Sequence, residues 1–232
     1  MASFLREDAE GIAVVRFDRP PVNAIDLAVT EELGLLAAGL ERKPPKALVL
    51  TGTGAAFSAG LDLKSVPAYG PDERRNLVLS INRMVRRVYG LPCPVVAAVN
   101  GHAMAGGLVM ALACDCRIAA EGAAKLALSE VNVGIPFPLG PMLVVEDIVA
   151  GAARRDLALF GRVYDPAAAL AAGLVDEVVA PDRLLARARE KARELAGLRG
   201  YAAIKAQLRA ATLAKLDAAI AADDDPVFKL WA

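Results

Sequence analysis

Residues 88–114 contain no Asp, Glu, Lys or Arg. An uncharged stretch of this length can either cross a bilayer or lie at the centre of a folded core. Its own residues decide between the two. It holds Pro92 and Pro94, then Asn100–Gly101, and four glycines at 90, 101, 106 and 107. A spanning helix must satisfy its backbone internally, and two prolines followed by an Asn-Gly turn break that pattern repeatedly. The run P-V-V-A-A-V at 94–99 reads instead as a buried strand ended by Asn100 and Gly101. No membrane span is therefore expected.

The remainder of the chain agrees with a folded core. With 232 residues it can form one sizeable domain, or a domain with a short appendage. An apolar content of 56% excludes disorder. Lys plus Arg and Asp plus Glu both number 27, so the net charge is zero and neither nucleic acid nor an anionic membrane is the expected partner. Residues 1–10 are polar and acidic and do not read as a signal peptide. Three cysteines are an odd number, which argues against a disulfide framework and for a reducing, cytoplasmic setting.

Strands are predicted at 11–17, 47–50, 95–99, 116–119 and 174–179 from alternating or continuous apolar residues. Helices are predicted at 30–40 with Thr30 as N-cap, at 73–88, from 106 to 113, at 143–160, at 165–172 closed by Gly173, at 181–195 and at 202–222. The proline-rich residues 136–141 read as loop. Strands alternating with helices indicate an α/β core, followed by an all-helical end suited to assembly.

Several motifs fail. In G-T-G-A-A-F-S-A-G at 52–60 the third glycine of a dinucleotide fingerprint would fall at Phe57, and no Walker lysine follows Gly60. Ser58 lacks the first glycine of a nucleophile elbow, because Ala56 stands there. Cys114 and Cys116 are too close for a usual zinc pair, so no metal site is expected. His102, the sole histidine, reads as a turn residue or a satisfied core group.

Two glycine-bearing turns remain, each after an apolar strand: A-F-S-A-G-L-D-L at 56–63 and N-G-H-A-M-A-G-G at 100–107. Small residues let a backbone approach a ligand closely, and amides at a helix start can hold a developing oxyanion. Together they closely resemble the paired motifs of the crotonase, or enoyl-CoA hydratase/isomerase, superfamily. The likeness runs through A-A-F-S-A-G-L-D-L-K at 55–64, P-V-V-A-A-V-N-G-H-A-M-A-G-G at 94–107 and L-S-E-V-N-V-G-I at 128–135. It continues in P-P-V-N-A at 20–24, A-A-A-L-A-A-G-L-V-D-E-V-V at 167–179 and A-A-I-K-A-Q-L-R at 202–209, covering almost the whole chain.

That resemblance implies an α/β fold, a spiral of ββα units over residues 1–195, with a helical C-terminal region at 196–232 that packs trimers or hexamers. It implies an acyl-CoA thioester as substrate, with coenzyme A part of that substrate and no separate cofactor. The amides of Leu61 and Gly106 would hold the thioester oxygen, and the backbone of Ala59, Leu61 and Leu63 would read the adenine. Hydratases of the family use two glutamates. Here the first position is Val109, flanked by Leu108, Met110 and Ala111, and only the second, Glu130, carries an acid. The Cys114–Asp115 pair looks structural. One glutamate at the later position is the pattern of Δ3,Δ2-enoyl-CoA isomerases. Glu130 would take the C2 proton and return it at C4, with Val109 and Phe137 keeping the pocket dry. The alternatives are hydration, hydrolysis or decarboxylation of an acyl-CoA, or a non-catalytic acyl-CoA-binding scaffold.

Overall fold

The computed structural model describes residues 2–229. Strands β1 (Phe4–Ala9) and β2 (Ile12–Phe17) form an antiparallel hairpin turning at Glu10 and Gly11, both at positive φ. The short β3 (Ala24–Ile25) leads into α1 (Leu27–Arg42). Then follow β4 (Ala47–Gly52), β5 (Ala56–Ser58), β6 (Gly60–Leu61) and α2 (Pro71–Gly90). Next come β7 (Val95–Val99), β8 (His102–Met104) and α3 (Gly106–Leu112). After these lie β9 (Cys116–Ala120), β10 (Leu126–Ala127), α4 (Glu130–Val133), α5 (Leu139–Ile148) and α6 (Gly151–Ala158). The described chain ends with α7 (Pro166–Ala171), β11 (Glu177–Val179), α8 (Leu184–Ala196), α9 (Tyr201–Ala222) and a 3₁₀ turn at Pro226–Lys229.

The main sheet has the order β1-β2-β4-β7-β9-β11, parallel throughout except for β1 against β2. Each of β2, β4, β7 and β9 is followed by one short strand of a second layer, or by two after β4, and then by a helix. The second layer consists of the parallel set β10-β8-β5 and the pair β3-β6. This repetition is the ββα spiral.

The uncharged stretch occupies its centre. Val95, Ala97 and Val99 pack into the core shared with α2 and α3, while Val96 and Ala98 pack against Ala188 and Ala192 of α8. A parallel strand covered on both faces has no polar side, which is why its sequence runs apolar without alternation. In α3 every residue from Gly107 to Leu112 is buried.

Several local expectations are corrected. Residues 4–9 form an edge strand whose side chains beyond Phe4 are exposed, so its charges hid it. The N-cap of α1 is Asp26, whose Oδ1 accepts from the Val29 amide at 2.9 Å. Thr30 sits one turn inside, its hydroxyl donating to the Leu27 carbonyl at 2.7 Å. The segment 136–141 is not all loop: α5 begins at Leu139, and Pro141 fits its first turn, where amides have no intrahelical acceptor. The helix expected over 143–160 is two, because Val149 is extended and Gly151 takes φ +58°. α7 follows its expected capping, with Asp165 accepting from the Ala168 amide at 2.8 Å and Gly173 at φ +72°.

α9 lies along α2 and α5. Buried Asp115 ties it to the core: its carboxylate takes Lys205 Nζ at 2.7 Å, Arg209 Nη2 at 2.9 Å and the Val95 amide at 2.7 Å. The structural reading of Asp115 is thereby accounted for. Residues 230–232 of the C-terminal region lie outside the described residues.

Candidate active site

The two glycine turns meet. Gly60 sits at φ +79°, and a Cβ there would lie 2.7 Å from Ala105 Cβ, 2.8 Å from the Met104 carbonyl and 3.0 Å from the Gly106 nitrogen. Gly107 is as close to β5: a Cβ would lie 2.2 Å from the Ser58 carbonyl oxygen. Both glycines are required by close approach of one backbone to another. The contact brings Leu61 and Gly106 to the wall of one cavity.

That cavity is narrow, about 40 Å³. Ile81, Met84 and Val85 of α2 form one side, Ile135, Phe137 and Pro141 another, with Val109 and Glu130 also lining it. A neighbouring cavity of about 60 Å³ shares Leu61, Glu130 and Ile135 and adds Ala59, Leu63, Ala105 and Val133. Every residue named from the sequence for the acyl-CoA site (Ala59, Leu61, Leu63, Gly106 and Glu130) therefore lines one or both of two adjoining spaces. Val109 is buried, and Phe137 stands in the same wall as Glu130.

Glu130 is the first residue of α4, a single turn closed by Gly134 at φ +69°. Its Oε2 is buried and has no hydrogen-bond partner among the described residues. Burial pushes its carboxyl up to about 7, partly offset by a backbone hydrogen bond. A carboxylate stripped of water, with one oxygen lacking any donor, is a stronger base than one in solvent.

The first turn is supported by residues that spacing alone did not single out. Asn23, fully buried at φ +55°, donates through Nδ2 to the carbonyls of Thr53 (3.0 Å) and Ala56 (2.8 Å). The Ser58 hydroxyl donates to the Asn23 carbonyl at 2.7 Å and accepts from the Gly60 amide at 3.2 Å. Ser58 thus spends its proton on backbone, which accounts for a fixed turn and not for a nucleophile. His102 Nδ1 accepts from the Lys125 amide at 3.0 Å, the role of a turn residue. The three cysteines are free thiols. No group of His, Cys, Asp and Glu with the makings of a metal site occurs among the described residues, and no helix there is long and apolar enough to cross a membrane.

A family model described as enoyl-CoA hydratase/isomerase matches residues 7–230. The chain belongs to the enoyl-CoA hydratase/isomerase family. A Thermus thermophilus member, provisionally named an enoyl-CoA hydratase, is 40% identical over 193 residues, covering 81% of this chain and 76% of that protein. The rat (Rattus norvegicus) mitochondrial enoyl-CoA delta isomerase 1 is 37% identical over 189 residues, which is 79% of this chain and 65% of the rat protein. Among solved members of the family, an apo enoyl-CoA isomerase of Mycobacterium tuberculosis superposes with a TM-score of 0.87 at 30% identity, covering 96% of this chain and 97% of that one. The same mycobacterial protein is described in a second structure as a probable enoyl-CoA hydratase. Names within the enoyl-CoA hydratase/isomerase family thus divide between the two reactions, and the chemistry of the site has to separate them.

Proposed function

We propose that this chain moves the double bond of a 3-enoyl-CoA to give a 2-enoyl-CoA, with Glu130 as its single acid and base. One observation carries the reading: Glu130 is the only titratable side chain lining either cavity among the described residues, and Val109 is apolar where a second carboxylate would stand. Hydration needs one group to activate water and another to protonate carbon. Isomerisation needs one proton carried between two carbons.

In the proposed step Glu130 removes the C2 proton, and the C–H electron pair moves into the thioester carbonyl. The Leu61 and Gly106 amides stabilise the resulting oxyanion, each such donor contributing ~10²–10³ in rate. As the dienolate collapses, the C2=C3 bond forms and C4 takes the proton back from Glu130. The backbone of Ala59, Leu61 and Leu63 is proposed to read the adenine of the substrate's coenzyme A. No separate cofactor enters the step. Assembly as a trimer or hexamer belongs to the same proposal, supported by the exposed Leu198, Ile204 and Leu208 at the helical end.

The test is Glu130→Gln assayed with 3-enoyl-CoA. Loss of roughly 10³-fold in turnover is expected, within the range for removing a general base. Turnover near wild type would overturn the mechanism. A second reading, hydration, is favoured by the hydratase names of many relatives. Robust 3-hydroxyacyl-CoA formation from 2-enoyl-CoA by the wild-type protein would establish it over isomerisation.

A further inference from the structure

The wall between Glu130 and α5 has few hydrogen bonds of its own to make, since Pro136, Pro138 and Pro141 have no amide hydrogen. At its near end the Ile135 amide donates to the Glu130 carbonyl at 3.1 Å. Its far end is held by side chains from distant parts of the chain. The Leu139 amide donates to Asp225 Oδ2 at 2.9 Å, and the Gly140 amide donates to Asn82 Oδ1 at 2.9 Å. Asn82 Nδ2 in turn donates to Asp225 Oδ2 at 2.9 Å, and the Val227 amide donates to Asp225 Oδ1 at 3.1 Å.

This network is interior. Asn82 and Asp225 are 0% and 2% exposed. A Cβ on Gly140 would fall 2.8 Å from Asn82 Oδ1 and 3.0 Å from Asn82 Cα, so the wall lies directly on α2 at this point. Asn82 belongs to the same stretch of α2 as Ile81, Met84 and Val85, which also line the cavity. One side chain therefore links the two lining segments. The donors to Asp225 are neutral N–H groups, and the carboxylate stands at the start of α5, where the helix dipole favours negative charge. The C-terminal segment that carries Asp225 is itself tied to α2: Arg75 pairs with Asp223, and its guanidinium lies 5.0 Å from the centre of the Phe228 ring.

We propose that Asn82 and Asp225 are positioning residues for acyl-chain recognition, clamping residues 135–141 against α2 so that the wall bearing Phe137 and Pro141 closes on the acyl group beside Glu130. This rests on the acyl-CoA reading of the cavity, though not on which enoyl-CoA reaction follows. The cavity, at about 40 Å³, has room for only a few water-sized groups, so an acyl chain must press the wall outward. The clamp sets how far that wall yields.

The test compares hexanoyl-CoA with coenzyme A alone by calorimetry, using wild type, Asp225→Asn and Asn82→Ala. Either substitution leaves a buried donor or acceptor unmatched, and hexanoyl-CoA is expected to bind roughly tenfold more weakly, with coenzyme A alone changed less than about twofold. A general loss of fold would weaken both ligands alike. Adding Phe137→Ala to either variant should then cost less than it does in wild type, because the clamp acts through that wall. Circular dichroism selects the variant that folds, and each reports on the clamp independently. Equal weakening of both ligands, or unchanged hexanoyl-CoA affinity in a folded variant, overturns the proposal. A wild-type protein that binds no acyl-CoA would instead remove the functional reading on which it rests.

Discussion

Glu130 joins two consequences in one side chain. Burial lifts its carboxyl from 4.5 to about 7. As a base it must be ionised, so kcat/KM for 3-enoyl-CoA is expected to rise with pH to a plateau, with an apparent pKa near 7 set by this group. A rise centred near 4.5 would show that the carboxylate is solvated in the working enzyme. The same shift acts on stability with the opposite sense. A folded pKa above the unfolded one means the folded protein binds the proton more tightly. The stabilisation is complete below about 4.5 and is lost as pH rises through about 7. Glu130→Gln, uncharged throughout, should therefore gain on wild type between pH 5 and pH 8, by at most roughly 3 kcal/mol. Urea unfolding of both proteins at the two pH values measures the gain; a difference independent of pH would contradict it. At this scale the family resemblance brought Glu130 and Val109 into view, because motif spacing reports them directly. Asn23 was legible only as part of a motif. Its contacts reach Thr53 and Ala56, and nothing local in the sequence encodes them.

At the scale of elements, the turns are held by backbone contact and not by side-chain chemistry. Gly107→Ala would drive a Cβ into the Ser58 carbonyl, and Ser58 holds the Gly60 amide. The expected outcome is a loss of about 10² or more in turnover, of the size seen when one oxyanion donor is misplaced. Gly39→Ala in α1 is the control. Nothing lies within 4 Å of its added Cβ, so it should leave turnover alone and raise stability by about 0.5–1 kcal/mol through helix propensity. Equal activity in both variants would show that the two turns do not need their close approach. Elements with a one-sided or fully apolar pattern, such as β7 and α2, could be read directly from sequence. Those that could not include β1, whose exposed side chains give no alternation, the start of α5, whose opening prolines mimic a loop, and the two- and three-residue strands of the second layer, which are too short to show a period. The clamp on α5 was invisible for a different reason. Its members lie in α2, in α5 and at Asp225 and Val227, and no spacing rule links residues so far apart.

For the molecule as a whole, the join between core and helical end depends on Asp115. The carboxylate lies between Lys205 and Arg209 of α9 and also takes the Val95 amide, so one side chain connects β7 with the helix that covers α2 and α5. All three members are buried, with side chains 6–8% exposed. Removing one partner from a buried ion pair leaves a charge without compensation, at a cost of roughly 3–5 kcal/mol. Asp115→Asn keeps the shape and removes the charge, so its Tm should fall by roughly 10 °C at pH 7. The pH dependence identifies the cause. Burial already lowers the Lys205 pKa from 10.5, and Asp115 opposes that shift. Without Asp115 the folded pKa drops further below the unfolded one. A depressed folded pKa gives stability that is present above the unfolded value and lost as pH falls through the folded one. The variant should accordingly regain part of its deficit as pH rises toward the unfolded value of 10.5, where Lys205 sheds its proton earlier in the fold than in the unfolded chain. Arg209 keeps its charge, so recovery remains incomplete. Adding Lys205→Met to Asp115→Asn should restore part of the stability at pH 7, since Arg209 still lacks its carboxylate, and abolish the pH dependence, because the titrating cation is gone. A single variant within about 2 °C of wild type at pH 7 would mean that water, and not Asp115, compensates the two cations where α9 meets the core.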